Sequence, residues 1–280
     1  MEFGVLSTLS AETNQFEPLE RYRVGIAQLC NWNMDILTPE VAEKVRRDMK
    51  SSRVRIAAFW AGYRHPCKWN PYDGPYTCGL VPPEYRADRL ADLKKGADFA
   101  TMIGAPAIVT HCGFIPEFPR SPLYLETLKA IEEIAVYCHE RGLGFWFESG
   151  QETPVTLLRT IEDLQLPNLG INLDTANLIL YGTGNPVDAL DVFGKYVRNL
   201  HIKDGFCPVD SRHNGKHAPV GMGAVDFRAI LRKLKKLDFH GELIVEREIK
   251  GEQQARDIMA ALEYLDAILT ELENENTESR

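Results

Sequence analysis

The chain has 280 residues, of which 44% are hydrophobic and 26% are charged, as is usual for a folded globular enzyme. Its net charge of −8 argues against a general nucleic-acid-binding surface, because binding phosphates requires clustered Lys and Arg. No apolar run approaches the roughly eighteen residues of a membrane span, and the first residues lack the pattern of a secretory signal, so we expect a cytoplasmic protein with neither nucleic-acid nor membrane partners.

Short β-branched or aromatic segments alternate with amphipathic segments along the whole chain. The first kind predicts eight strands, at Phe3–Ser7, Gly25–Leu29, Val54–Trp60, Ala107–His111, Gly144–Glu148, Gly170–Asp174, Val197–His201 and Glu242–Glu246. The second kind predicts helices at Phe16–Tyr22, Pro39–Lys50, Tyr85–Ile103, Tyr124–Arg141, Pro154–Asp163, Pro186–Tyr196, Asp226–Leu237 and Glu252–Leu272.

This alternation indicates the α/β class and favours a parallel sheet, and eight repeats permit the sheet to close. We therefore expect a single-domain (β/α)8 TIM barrel over residues 1–272. An open, doubly wound sheet is the alternative, but no G-x-G-x-x-G motif follows the first strand. Residues 273–280 are charged and poor in apolar side chains, which predicts a disordered tail.

Two long segments interrupt the regular spacing, at residues 61–83 and 205–225. Each follows a predicted strand and therefore lies on the face where TIM barrels place their active sites. We expect them to form walls or lids over a substrate, and the first could equally serve a subunit interface. The six cysteines include no C-x-x-C pair, so we expect reduced thiols; Cys67 and Cys78 could pair in an oxidising compartment.

Four side chains with metal-binding chemistry stand at the last residue of consecutive predicted strands: Glu148, Asp174, His201 and Glu246. In a closed barrel, strands five to eight are neighbours, so these side chains would converge at one mouth. Each alone could be a solvated, capping or hydrogen-bonded group, but carboxylates at the ends of buried strands need a partner or a cation. Three carboxylates and one imidazole suit one divalent ion, Mn²⁺ foremost, with Mg²⁺, Co²⁺ or Zn²⁺ as alternatives.

Six motifs resemble those of the xylose-isomerase-like barrels in their order and strand-end placement. They are THCG (Thr110–Gly113), ESGQET (Glu148–Thr153), LDTAN (Leu173–Asn177), HIKDG (His201–Gly205), VGMGAVDF (Val220–Phe227) and VERE (Val245–Glu248). That superfamily includes D-tagatose and D-psicose 3-epimerases, hydroxypyruvate isomerase and, more distantly, metal-dependent apurinic endonucleases. The resemblance implies the same four metal ligands, and it implies that Glu148 and Glu246 are the catalytic acid and base.

The implied activity is that of a metal-dependent isomerase, of the epimerase or ketose–aldose type, acting on a sugar or sugar phosphate. Moving a proton between carbons next to a carbonyl requires an enediolate to be stabilised while a carboxylate takes and returns the proton. The resemblance is incomplete. The 3-epimerases carry a second Glu several residues beyond the first ligand and an Arg after the ligand His. Here the nearest acid is Glu152, and Cys207 stands in the Arg region, which puts 3-epimerisation of free ketohexoses in doubt.

A second group of residues is expected to contact the substrate, although each could instead be structural: Trp60, His111, Glu152, Asn177, Lys203, Asp204, Arg212 and His217. Asn177 stands where the family's sugar epimerases place a substrate-contacting His. Arg212 and His217, with His213 and Lys216, could clamp a phosphate or carboxylate, or could form a solvated basic loop.

Other functions fit parts of the same pattern. A lyase or hydrolase acting on keto-sugars or keto-glycosides could use the same metal and base. An apurinic endonuclease would need further histidines and a basic groove, whereas this chain has seven His in all and a net charge of −8. A scaffold protein on a decayed barrel would be expected to lack a ligand, and all four are present. Because relatives are often dimers or tetramers, a homo-oligomer is also expected.

Overall fold

A computed structural model describes residues 1–278 and contains a closed barrel of eight parallel strands. These strands are β1 (Glu2–Thr8), β2 (Ile26–Asn31), β3 (Arg55–Ala61), β4 (Ala107–Thr110), β5 (Gly144–Glu148), β6 (Leu169–Asp174), β7 (Val197–Ile202) and β10 (Glu242–Val245). Two short strands, β8 (Asp204–Gly205) and β9 (His217–Ala218), pair antiparallel after β7. Each barrel strand pairs with its neighbour in sequence and β10 closes on β1, which confirms the TIM barrel and excludes the open sheet.

The helices of the described chain surround this barrel. They are α1 (Glu17–Tyr22), α2 (Pro39–Ser52), α3 (Pro83–Ile103), α4 (Pro122–His139), α5 (Pro154–Leu164), α6 (Asn177–Tyr181), α7 (Pro186–Phe193), α8 (Phe227–Lys236) and α9 (Glu252–Glu278). Helices α2 and α5 begin as the sequence predicts: the Thr38 and Thr153 hydroxyls cap them, and a proline follows in the first turn. Among the described residues, no helix combines the length and apolar character needed to cross a bilayer.

The barrel interior changes from apolar to polar along its axis. Ile26, Ala57 and Ile244 form a buried apolar cluster inside it. Further toward the carboxyl ends of the strands, Gln28 and Asn172 are completely buried and hydrogen-bonded to each other. Side chains at these strand ends are therefore held by a polar floor within a rigid sheet.

Both long segments contain short elements of regular structure, and the described chain ends in a helix. Segment 61–83 contains one 3₁₀ turn, Gly74–Tyr76, and segment 205–225 is anchored by the β8–β9 pair. All six cysteines of the chain are free.

Helix α9 includes residues 273–278 of the predicted disordered tail, whereas residues 279 and 280 lie outside the described part. Disorder of that tail stays a prediction.

Candidate metal centre and its cavity

The four predicted ligands meet at the carboxyl end of the barrel. Glu148, Asp174, His201 and Glu246 each offer one ligand atom, and these atoms lie within 4.8 Å of one another. Three of the side chains are almost completely buried, and the fourth, that of Glu246, is 12% exposed. The ends of β5, β6, β7 and β10 therefore converge as the sequence predicts.

Asp174 has one oxygen occupied and one without a hydrogen-bond partner. Its Oδ1 accepts the backbone N–H groups of Ala176 and Asn177, both at 2.8 Å, and so caps helix α6. Its Oδ2 is buried and accepts no hydrogen bond; the nearest cationic nitrogens are Lys203 Nζ at 3.6 Å and His201 Nδ1 at 4.0 Å. An orphaned carboxylate oxygen beside two further carboxylates fits a bound cation.

The ring of His201 is fixed by a glutamine that the sequence analysis did not identify. Gln28 donates its amide N–H to Asn172 Oδ1 at 3.3 Å, so its own oxygen faces His201 Nε2. An amide oxygen can only accept, and Nε2 must therefore carry the hydrogen. Nδ1 is left facing Glu148 Oε1 and Glu246 Oε2, each at 3.1 Å. This is the orientation in which Nδ1 can coordinate a metal.

Glu148 is surrounded by donors on both carboxylate oxygens. Oε2 accepts the indole N–H of Trp60, and Oε1 lies 3.4 Å from both His111 Nε2 and Asn177 Nδ2. Burial by itself raises the pKa of Glu148, but the nearby His111 and His201 outweigh it and hold the pKa well below its ordinary value. The carboxylate is consequently ionised and oriented.

Lys203 supplies a buried cation beside the cluster. Its Nζ lies 3.5 Å from Glu246 Oε2 and 3.6 Å from Asp174 Oδ2, and it donates to Glu248, the nearest carboxylate. Burial lowers the pKa of Lys203, but Glu246, Asp174 and Glu248 outweigh it and hold the pKa well above its ordinary value. Glu248 was missed by the sequence analysis although it belongs to the quoted VERE motif.

A cavity of about 610 Å³ opens from this cluster to solvent. Of the predicted site residues, it is lined by Trp60, His111, Glu148, Asn177, Lys203, His217 and Glu246. Its outer walls include residues that were not assigned a role: Trp32, Trp69, Tyr181, Asn214, Arg247, Glu248 and Lys250. Trp69 and Asn214 come from the two long segments, which therefore contribute to the cavity wall.

Three of the predicted substrate-contacting residues do not line this cavity. Asp204 is buried and accepts the backbone N–H groups of Gly205, Gly221, Gly223 and Val225 at 2.8–3.1 Å. These hydrogen bonds fix the backbone of the 205–225 segment around the Asp204 carboxylate.

The other two are Arg212 and Glu152. Arg212 lies over the ring of Tyr72, 4.7 Å from its centroid. Glu152 is buried, and burial raises its pKa to about 7. Of the four residues in the proposed cationic clamp, the cavity wall includes only His217 among the described residues, and exposed His213 pairs with Asp210 at 3.0 Å.

Comparisons with known proteins agree with this geometry. The family model described as "Xylose isomerase-like TIM barrel" matches residues 25–268. A crystal structure of a xylose isomerase domain protein from Planctomyces limnophilus is 33% identical, with 98% of each chain covered and a TM-score of 0.89. A D-tagatose 3-epimerase-like protein is 21% identical, with 99% of this chain and 100% of that chain covered and a TM-score of 0.76, and it shows likeness of fold.

One curated relative matches a part of the chain. The uncharacterised protein MJ1311 of Methanocaldococcus jannaschii is 24% identical over 190 residues, which are 63% of this chain. The match spans 62% of that relative's length.

Proposed function

The chain belongs to the xylose isomerase-like TIM barrel family, and from this premise we propose that it is a divalent-metal-dependent isomerase or epimerase of a small sugar or sugar phosphate. The observation that carries the proposal is the buried cluster of Glu148, Asp174, His201 and Glu246 at the base of an open cavity. The proposed cofactor is one ion, Mn²⁺ foremost, because oxygen-rich ligand sets favour hard divalent cations. When bound, the ion would polarise a carbonyl and stabilise negative charge on the substrate oxygens.

The residues around the cluster fit the proton transfers of such a reaction. We assign Glu148 and Glu246 as the acid and base, because both are carboxylates beside the same space and one remains partly open to the cavity. The Trp60 indole donates to Glu148 and holds it in place. Glu148 is therefore held in place and shielded from solvent, whereas Glu246 faces the open cavity.

Three further groups are placed to bind substrate oxygens. His111 lines the cavity 3.4 Å from Glu148, and its Nδ1 has no hydrogen-bond partner. The Lys203 ammonium also faces the cavity and can donate to an oxygen that gains negative charge. Asn177 can donate to or accept from a hydroxyl beside them.

Cytoplasmic location and assembly as a dimer or tetramer stay predictions from the sequence.

The test is exchange of substrate hydrogen with solvent deuterium in a panel of ketoses, ketose phosphates and keto-acids. Mn²⁺-loaded protein should introduce deuterium next to the carbonyl, and protein treated with chelator should not. Glu148→Gln and Glu246→Gln should each slow exchange by about 10²- to 10⁴-fold, the usual contribution of a general acid or base. Exposed Glu117 lies outside the cavity wall, and Glu117→Gln is the matched control that should exchange at the wild-type rate.

Product analysis on the same panel separates proton transfer from elimination or hydrolysis. An epimer or positional isomer is the expected product. Metal-loaded, folded protein that exchanges no hydrogen with any member of the panel would refute the proposed activity. Exchange that persists at the wild-type rate in both glutamine variants would refute the assignment of the acid and base.

A further inference from the structure

The cavity is larger than a single sugar ring requires. Its 610 Å³ corresponds to roughly 20 water molecules at about 30 Å³ each. A six-carbon sugar has fewer non-hydrogen atoms than that, and covalent bonding packs them more tightly than water. A ring placed over Glu148 and Glu246 therefore leaves unfilled space toward the solvent.

Aromatic rings line the cavity between the four proposed ligands and this outer space. Trp60 is buried and donates its indole N–H to Glu148. The ring of Trp32 lies 4.6 Å from that of Trp60, and Trp32 is 45% exposed. The ring of Trp69 lies 5.9 Å from that of Trp32 and 5.1 Å from that of His111. The three tryptophans thus form one apolar wall beside Glu148 and His111, and Trp32 is the exposed part of this wall.

The outer part of this surface is held in position by the backbone. A Cβ on Gly62 would lie 2.8 Å from the Trp32 ring, so a glycine at this strand end is what allows the indole to lie against it. Asn214 donates to the carbonyl oxygen of Trp69 at 2.6 Å and joins the two long segments at the cavity wall. The Trp32 indole therefore packs against Trp60 and the Gly62 backbone before any ligand arrives, which reduces the entropy lost on binding.

We propose that Trp32 forms an outer subsite for a second sugar ring or comparable ring-shaped substituent, so that the preferred substrate is a glycosylated ketose and not a free monosaccharide. A sugar ring presents C–H groups on one face and hydroxyls at its edge, which suits a wall of indoles bordered by polar groups. The polar border here includes His217, Asn214 and Lys250. This inference rests on the proposed function, which places the reacting ketose at the cluster.

The test compares the binding of three probes to Mn²⁺-loaded protein by calorimetry: D-fructose, and the fructose-containing disaccharides lactulose and isomaltulose. The disaccharides should bind about tenfold more tightly, because burying about 55 Å² of apolar surface at about 25 cal/mol per Å² corresponds to that factor. Trp32→Ala should reduce this preference toward onefold while leaving the affinity for D-fructose unchanged. Tyr76, which is 74% exposed and does not line the cavity, provides the control Tyr76→Ala, which should retain the preference.

Equal affinities for D-fructose and both disaccharides would overturn the outer subsite, as would a preference that survives in Trp32→Ala. If D-fructose binds and the disaccharides do not, the subsite fails while the proposed function stands. If none of the three probes binds, the subsite also fails, and the deuterium-exchange panel decides separately whether the proposed function fails with it.

Discussion

Replacing Gln28 by methionine should weaken Mn²⁺ binding although no proposed ligand is changed. The Gln28 oxygen accepts the N–H of His201 Nε2, and the His201 ring is buried. Methionine occupies a similar volume but is a poor acceptor, so this N–H loses its partner at a cost of about 1–3 kcal/mol. At about 1.4 kcal/mol per tenfold change, the dissociation constant should rise about 10- to 100-fold, as expected when a ligand loses its supporting hydrogen bond.

The measurement is a calorimetric titration of chelator-treated protein with Mn²⁺. Gln15 offers a matched control, because it is also a buried glutamine but its side-chain atoms have no hydrogen-bond partner. Gln15→Met should bind Mn²⁺ with the wild-type affinity. A folded Gln28→Met protein whose dissociation constant stays within twofold of the wild-type value would show that this hydrogen bond does not orient His201 for metal binding.

Three other results are expected. Asp204→Ala should lower the thermal unfolding midpoint by about 5–10 °C, because four backbone N–H groups lose a carboxylate acceptor; a midpoint within 1 °C of wild type would contradict this. A hydrogen bond from Cys78 lowers the pKa of the Cys67 thiol to about 6. Alkylation of Cys67 by iodoacetamide, measured by peptide mass spectrometry, should therefore increase as the pH rises through about 6 and level off at higher pH. A midpoint near pH 8.5 would exclude the lowered pKa. Mn²⁺ at 100 times its dissociation constant should stabilise the protein by about 2.7 kcal/mol and raise the thermal unfolding midpoint by about 5–10 °C. Adding a chelator should reverse the shift. An unchanged midpoint would mean that the ion does not bind the folded state.

Much of the fold was predictable because its signals are local. Strand β5 has the predicted bounds, and helix α5 begins at the predicted residue, Pro154. Helix α6 was not predicted, because its five residues are too short for a periodic pattern and its N-terminal N–H groups are capped from β6 by Asp174. The β8–β9 pair was likewise missed, because it depends on contacts between residues a dozen positions apart.

The residues of the candidate site were likewise predictable only where their sequence signals are local. Glu148 was identifiable because a polar residue ends an apolar strand, and a barrel brings neighbouring strand ends together. The role of Gln28 depends on a partner 173 residues away, and its one sequence signal was a polar side chain within an otherwise apolar strand. Asp204 carried the same kind of sequence signal as the ligands, yet backbone N–H groups occupy its carboxylate, which only coordinates could show.

The charge of the cluster would favour a bound cation. The ligand oxygens of Glu148, Asp174 and Glu246 lie within 4.8 Å of one another, so each ionised pair repels by at least about 3 kcal/mol at an effective dielectric constant of about 20. Three such pairs approach the whole free energy of folding of a typical domain, about 5–15 kcal/mol. Lys203 offsets part of this repulsion, but its ammonium lies closest to a fourth carboxylate, that of Glu248. A barrel selected for stability alone would place neutral side chains here, whereas a divalent ion would turn the same repulsion into the attraction that holds the site together.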